Sequence, residues 1–215
     1  MQAVESSKPA VCGLYAITPD ENDTRRLCAM VEASIAGGAS LVQYRNKRAN
    51  AALAFEQSRA LLEICRRHQI PLIINDDVEL CMAIDADGVH IGAADGDLMQ
   101  VRARIGAEKL LGASCYNRLE LALEAESLGA DYVAFGACFE SGTKPQAPRA
   151  DLVLFSNEHS KLNIPKVAIG GITLANAKLA LDAGADAIAV IGAVFFADNI
   201  EATSQQFAGL CQLNT

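Results

Sequence analysis

Pro71-Leu72-Ile73-Ile74-Asn75-Asp76-Asp77 decides how the chain is read. Three apolar residues, two of them β-branched, follow a proline and form a run suited to a strand buried on both faces. The run stops at an amide and two carboxylates. Two adjacent carboxylates buried without a counter-charge are costly, so this end of the strand belongs at a mouth where a cation can arrive. One of the pair, Asp76 or Asp77, can alternatively cap the helix expected from Val78.

Outward from that strand the pattern repeats. Strands are expected at 11–18, 40–44, 71–77, 88–91, 109–114, 132–135, 166–169 and 187–191. Helices are expected at 24–36, 51–67, 78–84, 98–105, 119–128, 151–158, 174–183 and 200–211. A helix ending in a Gly-Ala-Asp-like triplet and feeding an apolar strand recurs in alternate units: Gly38-Ala39-Ser40, Asp85-Ala86-Asp87, Gly129-Ala130-Asp131 and Gly184-Ala185-Asp186. Eight such strand–helix units in 215 residues predict a single-domain α/β chain, a (β/α)8 TIM barrel over residues 11–215 behind a flexible tail at 1–10. An open doubly wound sheet shares the alternation, but the dinucleotide pattern G-x-G-x-x-G is missing.

Composition narrows the function classes. The chain is 51% hydrophobic and 20% charged, with a net charge of −8 and no basic block, which argues against nucleic acid. The seven cysteines form no C-x-x-C pair and read as reduced thiols in a cytoplasmic protein. No apolar run reaches transmembrane length and no signal peptide is visible. Whether the chain forms a homo-oligomer stays open.

In a barrel of this kind, function collects after the strand ends. Gln43, Arg45 and Lys47 follow strand two and alternate, so in extended backbone they share a face; two cations there suit a diphosphate. Asn75 and Asp76 end strand three, Asp95 follows strand four, and Ser114 ends strand five. Ser141, Gly142, Thr143 and Lys144 lie in the loop after strand six. Gly170 and Gly171 follow strand seven, Ile191 and Gly192 strand eight. Adjacent strands run about 4.8 Å apart, so Asp76 and Asp95 can reach one ion. Oxygen ligands completed by substrate phosphate suit Mg2+. Glycine-rich loops after strands seven and eight suit a second phosphate. His90, on strand four, reads as packing, and Cys115 and Cys138 as small buried hydrophobes near the pocket.

The ordered set Q-Y-R-N-K (43–47), I-I-N-D-D (73–77), A-D-G-V-H-I-G (86–92), G-A-S (112–114), S-G-T-K (141–144), V-A-I-G-G-I-T (167–173) and A-V-I-G-A (189–193) resembles the thiamine-phosphate synthase family. The resemblance implies a Mg2+-dependent transferase of thiamine biosynthesis. It would join 4-amino-2-methyl-5-(diphosphooxymethyl)pyrimidine to a thiazole phosphate, carboxylated or not, and release pyrophosphate. It further implies that Gln43, Tyr44, Arg45, Asn46, Lys47, Asn75, Ser114 and Lys144 bind the pyrimidine diphosphate. Ser141, Gly142, Thr143, Gly171, Ile191 and Gly192 would bind the thiazole phosphate, and Asp76 and Asp95 the metal. Arg45, Lys47, Ser114 and Lys144 would be catalytic. The chain departs from the family pattern at Tyr116, where histidine is common, at Gly192, where serine is frequent, and in the S-G-T-K loop. A thiazole tautomerase-like isomerase and a non-catalytic phosphate-binding barrel are the alternatives.

Overall fold

The computed structural model describes residues 8–92, 97–140 and 149–213. Eight parallel strands close into a ring in sequence order: β1 (Gly13–Ile17), β2 (Ala39–Tyr44), β3 (Leu72–Asn75), β4 (Gly88–Ile91), β5 (Leu110–Tyr116), β6 (Tyr132–Phe135), β7 (Lys166–Ile169) and β8 (Ala187–Val190). The helices around them are α1 (Thr24–Ala36), α2 (Ala51–His68), α3 (Val78–Ile84), α4 (Leu98–Ile105), α5 (Leu119–Ser127), α6 (Asn157–Ser160), α7 (Ala177–Asp182), α8 (Gly192–Phe195) and α9 (Ile200–Gln212). Of the expected tail, residues 1–7 lie outside the described residues, and Lys8 pairs with Asp131 at 2.5 Å. Among the described residues no helix is long and apolar enough to cross a membrane. The seven cysteines are free thiols.

The pleat of β3 explains its continuous apolar run. Leu72 and Ile74 face the helical layer, and Ile73 faces the barrel interior with Leu41, Leu110 and Val167. Helix ends follow local signals. The Asp23 carboxylate accepts from the N–H groups of Arg25 and Arg26 to start α1, and Gly37 ends it; Asn50 accepts from Leu53 N to start α2.

The recurring triplet has a definite task. The Asp87 carboxylate accepts from Leu72 N at 2.8 Å, Asp131 from Leu111 N at 2.7 Å and Asp186 from Lys166 N at 2.7 Å. Each aspartate N–H donates back to the carbonyl of that same residue. Each thus ties a strand to the first residues of its predecessor on the floor of the barrel. Ser40, the fourth member, instead donates its hydroxyl to Leu14 O at 3.1 Å and to Cys12 O.

Two expected helices are corrected. Residues 151–158 form a 3-10 turn, Leu152–Phe155, and the short α6, because Asp151 caps the first and the chain turns out again at Ser156. The helix expected from Leu174 begins at Ala177. The Asn176 side chain closes the preceding turn by accepting from Thr173 N at 2.8 Å and donating to Gly171 O at 3.0 Å. The short helix α8 was not foreseen; four residues carry no helical period.

Asp87→Ala should strip the Leu72 N–H of its acceptor at the barrel floor. Urea unfolding is expected to register a loss of about 1–3 kcal/mol, with substrate KM unchanged because the floor is remote from the mouth.

Candidate active site

Asn75, Asp76 and Asp77 divide the work at the end of β3. Asp77 is the N-cap of α3, its carboxylate accepting from Leu80 N at 2.8 Å. Asp76 is thereby left over. Its backbone sits at φ +62°, a left-handed conformation that aspartate tolerates better than most residues. Its Oδ2 accepts from Asn75 Nδ2 at 2.6 Å, and its Oδ1 lies 3.4 Å from Gly92 N, just past the end of β4. No lysine or arginine among the described residues pairs with it.

A cavity of about 220 Å3 opens at this end of the barrel. Gln43, Arg45 and Lys47 line it together, as alternation requires, with Asn75, Asp76 and Ser114. Arg45 is steered by Asp20, 3.5 Å from its Nη1, while Asp20 also accepts from Lys47 N at 2.9 Å. Thr18 clamps the Arg45 backbone through both its N–H and its carbonyl. The intervening Tyr44 and Asn46 turn toward α2: Tyr44 Oη donates to Gln57 Oε1 at 3.0 Å, and Asn46 Nδ2 donates to Glu21 O and Gln57 Oε1. Ile169 and Ile191 line the opposite wall, ahead of Gly171 (φ +67°) and the start of α8 at Gly192. A side chain on Gly171 would run into the Phe139 and Glu140 carbonyls. Asp95, Ser141, Gly142, Thr143 and Lys144 lie outside the described residues.

Two features of the barrel interior were not singled out in the sequence, a tyrosine pair and the glycine that makes room for it. Tyr15 and Tyr132 join Gln43, His90 and Ser114 in hydrogen bonds across the interior. An inward-facing tyrosine needs a partner for its hydroxyl, and that is the signal the pattern contained. Gly112 makes room for the row: a Cβ there would overlap the Tyr132 ring and lie 2.5 Å from His90 Nδ1. Tyr116, exposed and at φ +53°, lines the mouth beyond an irregularity in β5. Cys115 turns outward, and burial pushes its thiol up to about 12 and that of Cys138 up to about 11; neither acts as a nucleophile at neutral pH.

Fold and cavity define a (β/α)8 barrel whose cavity at the C-terminal mouth gathers Arg45, Lys47 and Asp76. The family model for thiamine monophosphate synthase matches residues 14–194. A thiamine-phosphate synthase of Methylobacillus flagellatus is 61% identical over 94% of this chain and 96% of its own. One of Chromobacterium violaceum is 51% identical over 94% and 97%. The solved thiamine phosphate pyrophosphorylase of Pyrococcus furiosus superposes with a TM-score of 0.83 at 32% identity, covering 97% of this chain and 98% of that one. The chain belongs to the thiamine monophosphate synthase family, and its activity is that of a thiamine-phosphate synthase, a transferase.

His90 is buried, and burial pulls its pKa from 6.5 down to about 4. Between those values the unfolded chain binds the proton and the folded one does not, so stability falls as pH drops from 6.5 toward 4. The full difference is about 3 kcal/mol. Urea titrations of wild type and His90→Gln across this window should diverge, the variant losing that share of the slope.

Proposed function

We propose that the cavity takes an aminopyrimidine bearing a methyl diphosphate, and that the wall toward β7 and β8 takes a thiazole phosphate. The methylene carbon passes from the diphosphate oxygen to the thiazole nitrogen. The carbon–oxygen bond breaks with its electrons leaving on pyrophosphate, the pyrimidine amino group feeds the electron-poor methylene, and the thiazole nitrogen lone pair forms the new bond. The observation that carries this reading is a carboxylate, Asp76, kept at the mouth without a cationic partner among the described residues, in the same cavity as Arg45 and Lys47.

Asp76 fits a hard divalent cation, which accepts one or two carboxylates and completes its shell with phosphate and water. Asp76 and Asp95 are the residues that would hold Mg2+, and the ion would neutralise diphosphate charge when bound. The protein's own part is positioning and charge stabilisation. The Arg45 guanidinium, with Asp20 3.5 Å from its Nη1 and its backbone clamped by Thr18, offers paired N–H donors to phosphate oxygens. Lys47 adds a mobile charge, and Lys144 is proposed as a third cation. Ser114 offers its hydroxyl to the pyrimidine half. Ser141, Gly142, Thr143, Gly171, Ile191 and Gly192 are proposed for the thiazole phosphate, where α8 supplies the short extra helix that such barrels use after strand eight. The free thiols and the bacterial relatives fit a cytoplasmic enzyme.

Turnover is measured as pyrophosphate released from the two heterocycles, with and without a chelator. Activity should vanish on chelation and return with added Mg2+. Asp76→Asn should cost about a hundredfold or more in kcat/KM with its unfolding curve intact. Undiminished turnover in the chelated enzyme would contradict the metal assignment.

A further inference from the structure

Five polar side chains run in a row across the barrel interior beneath the mouth. Gln43 Nε2 donates to Tyr15 Oη at 2.8 Å, and the Tyr15 and Tyr132 hydroxyls meet at 2.8 Å. Tyr132 Oη lies 3.1 Å from His90 Nδ1, and His90 Nε2 lies 2.9 Å from Ser114 Oγ. The Tyr132 ring is held edge-on to Tyr15 and stacked on His90, with centroids 6.0 and 5.5 Å apart. Gln43, Tyr15, His90 and Ser114 all line the cavity. Tyr132, at the centre of the row, is fully buried and does not line it.

Proton counting gives the row a direction. The imidazole is neutral at working pH because burial holds its pKa near 4, so one ring nitrogen donates and the other accepts. With Gln43 donating to Tyr15, Tyr15 donates to Tyr132, Tyr132 to His90 Nδ1, and His90 Nε2 to Ser114. With the Gln43 amide in this orientation, any other order buries a hydroxyl proton without an acceptor, which is unfavourable in a low-dielectric interior. In this order Gln43 presents its carbonyl oxygen to the cavity and Ser114 presents its proton. Rotating the Gln43 amide by half a turn reverses every bond, so that Gln43 presents N–H and Ser114 a lone pair. The two ends of the row, drawn from β2 and β5, change polarity only together.

We propose that Tyr15, Tyr132 and His90 are positioning residues that couple the Gln43 amide to the Ser114 hydroxyl, so that the cavity floor reads the donor–acceptor edge of the pyrimidine as one unit. This rests on the pyrimidine half of the reading above. It goes beyond it by assigning heterocycle discrimination to a residue that never touches the substrate.

The test compares kcat/KM for the 4-aminopyrimidine diphosphate and its 4-oxo analogue, in which the donor and acceptor positions are exchanged. Wild type should prefer the amino compound by about a hundredfold or more. Tyr132→Phe should cut that preference to about tenfold or less, mainly through a raised KM for the amino substrate, and Tyr15→Phe should act in the same sense. Wild type that makes no thiamine phosphate from the amino compound sinks the site reading and the coupling with it. Active wild type beside a folded Tyr132→Phe enzyme of undiminished preference sinks the coupling alone. Nitrogen-15 NMR of His90 in the wild-type complex with the pyrimidine diphosphate keeps the matter decidable should both variants misfold. A single neutral tautomer is expected, and a mixture of the two tautomers or a charged ring overturns the proposal.

Discussion

A ring of eight parallel strands must deliver every strand's C-terminal end to one rim, and everything this chain does follows from that directionality. Residues far apart in sequence, from Gln43 to Ile191, become neighbours around a single cavity because each lies at or just past a strand end. The opposite rim is given over to holding the ring closed. There Asp87, Asp131 and Asp186 each bind backbone of the preceding strand, a task that wants a short, rigid acceptor and tolerates no ligand. The same residue type thus ties strands together on one rim and lines the cavity on the other, and only position along the strand separates the two settings.

The end of β3 shows how finely that separation is made. Asp77 takes the helix cap, so the neighbouring carboxylate is relieved of that duty. A left-handed backbone at Asp76 then turns the side chain toward β4, into the cavity shared with Arg45 and Lys47. Beneath them the polar row from Gln43 to Ser114 crosses a floor otherwise made of Ile73, Val167 and Ala189. Hydrogen bonds in such surroundings are directional and strong, which gives a small cavity a defined donor and acceptor layout before any substrate arrives.

Much of this was legible from residues alone. Alternating strand and helix patterns identify the barrel, and the helix Thr24–Ala36 spans the residues that its spacing predicts. The grouping of Gln43, Arg45 and Lys47 follows from the two-residue period of extended chain. Other features were illegible for physical reasons. Asp76 and Asp77 satisfy the capping pattern equally well, and only the backbone angle chooses between them. Tyr15 and Tyr132 carry the same apolar bulk as any core aromatic, so their hydroxyl partners emerge only when β1 and β6 are brought face to face across the barrel. His90 read as packing, and it does pack, but with both ring nitrogens engaged. The segment 151–158 is apolar enough for a helix, yet it folds as two short turns because Asp151 and Ser156 each restart the chain.

We propose that Asp76, freed by its neighbour, meets the cation that accompanies a diphosphate. The most direct measurement is a crystal structure grown with pyrophosphate and Mn2+, the metal located by its anomalous scattering. The account predicts a peak within about 2.2 Å of an Asp76 carboxylate oxygen, bridging to a phosphate that Arg45 also contacts. A metal bound elsewhere on the rim, with Asp76 still hydrogen-bonded only to Asn75 and Gly92, would contradict it.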